Sequence, residues 1–268
     1  MSARRGSLAV EFVGMPGAGK SAVSRRVAEH LAGRGVAVAE PVRALSDRSS
    51  RGATVAGVAA KSLRVAGEMV AHPGDALRAL RAIRGTGQPS MPVLARVAFN
   101  WLMQCAVLRS SRTSGAVHLL DEGIYQALWS VGLEGRPGTI PRLGRELASA
   151  LALPDVVVIV DAEAEAVAQR LGARGGHESR ADRWDRADGQ AVRHGSGLLD
   201  EVVDVLMKVS GRGRGPRVIH VDNGAGRDPG AVAGPLATEL ERWSGSLTGV
   251  AGARPDARQP AAGPLRTI

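Results

Sequence analysis

The sequence predicts an α/β protein, a three-layer sandwich around a five-stranded parallel sheet, and three observations predict it. Short aliphatic runs alternate with stretches of helical spacing along most of the 268 residues. The runs are apolar throughout rather than alternating, as strands covered on both faces are. The first run leads through a glycine-rich turn straight into a helical pattern. Strand and helix in turn imply parallel pairing, because a parallel return needs a crossover, usually a helix.

The first strand is LAVEFV, residues 8–13, an apolar run interrupted by one carboxylate, Glu11. SAVSRRVAEHLAG, residues 21–33, is the first helix, and VAVA, residues 36–39, the second strand. The run PVLARVAFNWLMQCAVLR is shorter than a membrane span and carries Arg96, Asn100 and Gln104, so it reads as a core helix. AVHLL (116–120), DVVVIV (155–160) and RVIHV (217–221) complete the sheet. IPRLGRELASAL, AEAVAQRL and LLDEVVDVLMKV supply further helices between them. Residues 43–92 carry no strand pattern and read as a helical cap; residues 170–196 are polar and glycine-rich and read as a lid. Residues 1–245 then form a single domain, and 246–268, without apolar periodicity, read as a disordered tail.

The net charge of +9 is almost wholly arginine, since Lys20, Lys61 and Lys208 are the only lysines. A basic surface suits an anionic ligand. The aromatic residues are few and scattered, with no basic stripe interleaved among them, which argues against an extended nucleic-acid site. No run reaches the length of a membrane span, and Glu11 breaks the apolar run near the basic start, so no membrane association and a cytoplasmic location are expected. Cys105 is the sole cysteine and reads as a small core residue.

The glycine-rich turn carries the chemistry. Gly14, Gly19, Lys20 and Ser21 satisfy G-x-x-x-x-G-K-[ST], a phosphate-binding loop. At this chain's composition the pattern arises by chance about once in 200 such chains, and here it also falls between a strand and a helix, where the mechanism needs it. In such a loop successive backbone N–H groups, here across Gly14, Pro16, Gly17, Ala18, Gly19, Lys20, Ser21 and Ala22, surround the phosphates, proline contributing shape rather than a donor. Lys20 reaches the β- and γ-phosphates of ATP or another nucleoside triphosphate, and Ser21 offers its hydroxyl to Mg²⁺. Asp121, at the end of the third strand, is the expected second metal residue.

Other residues point to what becomes of the phosphate. Arg170, Arg174, Arg180 and Arg183 fall in the polar segment after the fourth strand, where a lid could neutralise charge developing during transfer. Glu40 ends the second strand before Pro41, on the sheet edge where such folds bind ligands, and could accept the proton of an attacking hydroxyl. Asn100 and Gln104, four apart, share a helix face, as a pocket needing amide hydrogen bonds would want.

The ordered set EFVGMPGAGKS, VAVAEP, AVHLLDEGIYQALWS, DVVVIVDA, RLGARGG and RVIHVD resembles the thymidylate-kinase-like and deoxynucleoside-kinase-like branch of P-loop kinases from Leu8 to about Trp243. The resemblance implies phosphate and metal roles for Lys20, Ser21, Asp121, Arg170 and Arg174, with Glu40 facing the acceptor. Those kinases usually place an arginine after the acidic residue of the third-strand motif, whereas here Glu122 follows Asp121 and then Gly123. Glu122 would repel a phosphorylated acceptor and competes with Glu40 as base.

The expected function is therefore an ATP- and Mg²⁺-dependent kinase acting on a small-molecule acceptor, a nucleoside, nucleotide or other hydroxylated metabolite. The alternatives are an NTP-binding or NTP-hydrolysing regulatory protein and a kinase of nucleic-acid ends. A homodimer is compatible with the sequence.

Overall fold

The computed structural model describes residues 6–41, 51–147, 153–173, 190–209, 215–224, 227–246 and 266–267. Five strands lie where the aliphatic runs predict them: β1 (Leu8–Val13), β2 (Val38–Ala39), β3 (Val117–Leu120), β4 (Val156–Asp161) and β5 (Arg217–Asp222). A sixth, β6 (Arg266–Thr267), falls inside the segment read as a tail and adds to the edge beyond β5. The remainder of that tail lies outside the described residues. The sheet order is β2-β3-β1-β4-β5-β6, with every pair parallel.

This order puts β1 in the interior of the sheet, flanked by β3 and β4. All six residues of β1 are buried, as are the first five of β4, which is why both read as unbroken runs rather than alternating ones. β2 is a partly buried edge strand and shorter than VAVA suggests, since pairing with β3 covers only Val38 and Ala39.

Helices cover the sheet in two layers. Helix α1 (Lys20–Gly33) buries Val23, Val27 and Leu31, spaced for one face, and packs on the helix Pro229–Ser246, whose Leu236 and Leu240 are fully buried. Arg34 joins the two by donating to Thr238 (2.9 Å) and Glu241 (3.3 Å). The other helices follow the chain as α2 (Arg51–Ala71), α3 (Pro73–Arg84), α4 (Met91–Ser111), α5 (Ile124–Gly132) and α6 (Thr139–Leu147), then α7 (Ala164–Ala173) and α8 (Gln190–Val209); α9 is the Pro229–Ser246 helix that packs on α1.

Helix α4 alone among the described helices is long and apolar enough to cross a membrane. It buries Trp101, Leu102, Val107 and Leu108 inside the protein, as the core-helix reading expects. Its start is capped by the Ser90 hydroxyl, which accepts from the Val93 N–H.

Helices α2 and α3 form the cap expected over 43–92, with residues 42–50 outside the described ones. Val65 and Ala76 bury against Leu102, Met103 and Val107 of α4 in a small second core. A charged clip reinforces it. Arg109 of α4 donates to Asp75 of α3 at 2.7 Å, and its Nε lies 2.9 Å from Glu68 of α2 as an ion pair without hydrogen-bond alignment. Glu68 is buried, and this contact places a cation beside it.

Two boundaries differ from the sequence reading. Arg170 to Ala173 form the last turn of α7, and residues 190–196 open α8, so the segment read as a lid is helical at both ends. Its centre, residues 174–189, lies outside the described residues. That segment looked like one loop because glycine and charge there mask the helical spacing of the flanking residues.

Candidate active site

The loop from Gly14 to Gly19 joins the carboxyl end of β1 to α1. Gly17 and Gly19 have φ of +89° and +93°, a region that residues with a Cβ rarely adopt, so both positions need glycine. Gly19 caps α1 without a side-chain hydrogen bond, and the first turn holds no acidic residue. The positive end of the helix thus meets no acidic residue of its own first turn, and Ser21 and Ala22 are exposed there. Met15, Gly17 and Ala18 are buried and Pro16 half-buried, so these residues give the loop its shape.

Lys20 folds back over the loop, its Nζ donating to the carbonyls of Gly14 (2.8 Å) and Met15 (3.0 Å). The ammonium thus stands over the loop that would receive the phosphates.

The end of β3 meets this loop from the side. Ser21 Oγ donates to Asp121 Oδ2 at 2.6 Å, joining two residues one hundred positions apart that the sequence reading assigned to one metal. The other oxygen, Asp121 Oδ1, is buried and has no partner among the described residues. A buried carboxylate oxygen without a donor is a position that a cation could satisfy. Mg²⁺ is characteristically held by one or two protein oxygens with phosphate and water completing the shell, and Ser21 with Asp121 fits that pattern. Among the described residues no group of three His, Cys, Asp or Glu could form an all-protein cage.

Glu122 stands beside this pair. It touches solvent yet has protein crowded around it; that crowding raises its carboxyl pKa first, the charge of Asp121 second, while Lys20 and Lys61 pull it down. Lys61 comes from α2, so the cap brings a cation to this edge, a contribution that no local pattern around Lys61 announced. Glu40, half-buried, follows β2 on the same carboxyl edge of the sheet.

Arg170 is placed differently from expectation. Its guanidinium donates to the carbonyls of Gly17 and Ala18 (both 3.4 Å), Asn223 (3.1 Å) and Gly224 (3.2 Å). It ties the phosphate loop to the turn after β5 from a helix, instead of riding on a loop. Asn223, buried in that turn, donates from Nδ2 to Ala18 O at 2.6 Å. Arg174, Arg180 and Arg183 lie outside the described residues.

On the cap side, Gln104 is buried with a long contact from Nε2 to Asn100 Oδ1 (3.4 Å). Gln104 Oε1, Trp101 Nε1 and Tyr125 Oη are all buried with no partner among the described residues.

Sequence reasoning missed Glu11. Its signal was visible as a charge inside a strand buried on both faces, which demands a partner; the partner itself is more than a hundred residues away.

Against solved structures, the chain is similar to deoxyadenosine kinase from M. mycoides with its products dCMP and a flexible dCDP bound. The TM-score is 0.51 at 11% identity, over 87% of this chain and 98% of that one. A structure of deoxyadenosine kinase from M. mycoides with bound dCTP aligns over the same shares at 14% identity and a TM-score of 0.42. No known family model matches the chain, and no curated protein does. The likeness is one of fold: a parallel sheet of the P-loop kinase type.

Proposed function

We propose that the chain is a nucleoside-triphosphate- and Mg²⁺-dependent kinase that moves a γ-phosphoryl group to a small, hydroxylated acceptor such as a nucleoside. The single observation that carries this reading is the meeting of Ser21 and Asp121 at 2.6 Å beside the phosphate loop. The fold likeness to a deoxyadenosine kinase supports the choice of a nucleoside as the first acceptor to try.

In this reading the loop amides and the α1 terminus bind the phosphates. Lys20 exchanges its two carbonyl contacts for β- and γ-phosphate oxygens, and Ser21 with Asp121 holds Mg²⁺. The ion supplies charge neutralisation on the transferring group. Arg170 keeps the loop in shape through its four carbonyl contacts.

Glu40 and Glu122 share the edge where an acceptor hydroxyl would approach, and one of them takes its proton. Glu122 disfavours an acceptor that already carries phosphate. The buried amide of Gln104 and its unpartnered Oε1 favour an acceptor with hydrogen-bonding groups. The proposal takes the cytoplasm as the enzyme's location and a small molecule, rather than nucleic acid or a membrane, as its acceptor.

The test is transfer of a labelled γ-phosphate from ATP to members of a nucleoside and metabolite panel. A labelled acceptor supports the kinase. A second reading rests on the adjacent Asp121 and Glu122, an acidic pair that could orient water in an NTP-hydrolysing regulatory protein. Phosphate release that no acceptor alters would favour it.

A further inference from the structure

Glu11 sits mid-strand in β1, in register with Leu120 of β3 and Val157 of β4, and is fully buried. Its carboxyl group accepts three backbone N–H bonds, from Ile124 on Oε2 (3.0 Å) and from Tyr125 (2.7 Å) and Gln126 (2.9 Å) on Oε1. Those are the first three residues of α5. The helix has no other cap, because Gly123 before it offers no side chain and the first turn holds no acidic residue. A strand residue 113 positions earlier thus satisfies the donors that a local cap would normally take.

Two further contacts extend the link. The Gln126 side chain turns back to the phosphate loop, where Oε1 accepts a long bond from the Gly14 N–H (3.4 Å). At Gly123 a Cβ would collide with the Glu11 carboxyl, so the two chains approach as closely as glycine permits.

The consequence concerns the three residues in between. Leu120 is anchored by the ladder to β1, and Ile124 by Glu11 itself. Only Asp121, Glu122 and Gly123 span these anchors. A segment this short, held at both ends by one strand, has little freedom to move its carboxylates, and Asp121 is delivered to Ser21.

We propose that Glu11 is a positioning residue for this site: through the N–H groups of Ile124, Tyr125 and Gln126 it sets the segment bearing Asp121 against the phosphate loop, so that Ser21 and Asp121 meet at one cation. The proposal rests on the nucleotide and metal reading above. Glu11 touches neither nucleotide nor acceptor; it acts through the backbone it holds.

The test uses the full chain and a fluorescent ATP analogue, titrated once in EDTA and once in excess Mg²⁺. The ratio of the two dissociation constants is the Mg²⁺ increment. Glu11→Leu keeps the volume but offers no acceptor. It is expected to bind metal-free nucleotide within about threefold of wild type and to lose about tenfold in the increment, as loss of a group orienting a metal ligand does. Glu11→Gln, which keeps one acceptor oxygen, recovers most of it. A merely structural role would weaken both titrations together or neither.

An unchanged increment in Glu11→Leu would overturn the proposal, and so would Glu11→Gln losing as much as Glu11→Leu. Should Glu11→Leu fail to fold, Glu11→Met, equally without an oxygen acceptor and more adaptable in shape, takes its place under the same criteria. Wild type that fails to bind the analogue, or binds it without an increment, overturns the nucleotide or metal reading together with this proposal. Wild type that behaves as expected while the variants match it overturns this proposal alone.

Discussion

Glu11 also links stability to pH, with a sign opposite to that of most carboxylates. Burial pushes its carboxyl from 4.5 up to about 8, against the pull of the Gln126, Tyr125 and Ile124 N–H groups, so near neutral pH the folded protein holds a proton that the unfolded chain releases. A folded-state pKa raised above the unfolded value stabilises fully below 4.5, and that stability is lost as pH rises through about 8. The slope is one proton, about 1.4 kcal/mol per pH unit. It flattens near the folded value, so the loss between pH 6 and pH 8 is about 2 kcal/mol.

The perturbation is Glu11→Gln, which cannot ionise and presents an amide oxygen to Tyr125 and Gln126. Its NH₂ would face the Ile124 N–H, a donor against a donor, at a pH-independent cost of about 1–3 kcal/mol. Urea unfolding at several pH values, followed through the buried Trp101 and Trp129, yields the two stability curves. Glu122 and Asp155, also raised, and His118, lowered by burial, titrate in both proteins and cancel in the difference. Wild type is expected to lose about 2 kcal/mol more than Glu11→Gln from pH 6 to pH 8. Parallel curves would refute the reasoning, showing that three N–H donors and the helix terminus had already ionised the group.

The remaining predictions concern the site and the cap. Lys20→Ala should retain the fold, judged by circular dichroism, while phosphoryl transfer falls about 10²- to 10⁴-fold; near-normal turnover would remove Lys20 from the reaction. Asp121→Asn should keep the Ser21 contact but weaken the Mg²⁺ dependence of nucleotide binding by about tenfold or more, read by titration with and without the ion. Of Glu40→Gln and Glu122→Gln, one should abolish transfer while nucleotide still binds, and that variant identifies the base. Arg109→Met strands the buried Glu68, and unfolding should be easier by about 2–4 kcal/mol, with partial recovery on adding Glu68→Gln. An unchanged melting temperature would show that the clip contributes nothing.

Strand runs and the glycine-rich loop with its Lys20 could be read along the chain, because each depends on residues adjacent in sequence, whereas the order of the strands in the sheet came only from the fold. A buried strand must be aliphatic wherever it goes, and a loop that binds phosphate through its own amides needs its glycines and Lys20 within eight positions. Asp121 was legible for the related reason that strand ends on one edge of a parallel sheet converge.

Contacts between distant segments followed a different logic. Glu11 looked like an interruption, and tertiary structure made it the cap of α5, because a buried carboxyl group must find hydrogen-bond partners and the nearest free donors belonged to another strand's continuation. Arg170 read as a mobile cation, and packing turned it onto four carbonyls that only the folded loops bring together. Lys61, unremarkable on its own helix, gained a role when the cap came to rest over the acidic edge. Local patterns in the sequence thus determined the glycine loop with its Lys20 and Ser21 and its place between β1 and α1. Which carboxylates and cations surround it was decided by the pairing of buried charges across the fold, a constraint that leaves no signature at either partner alone.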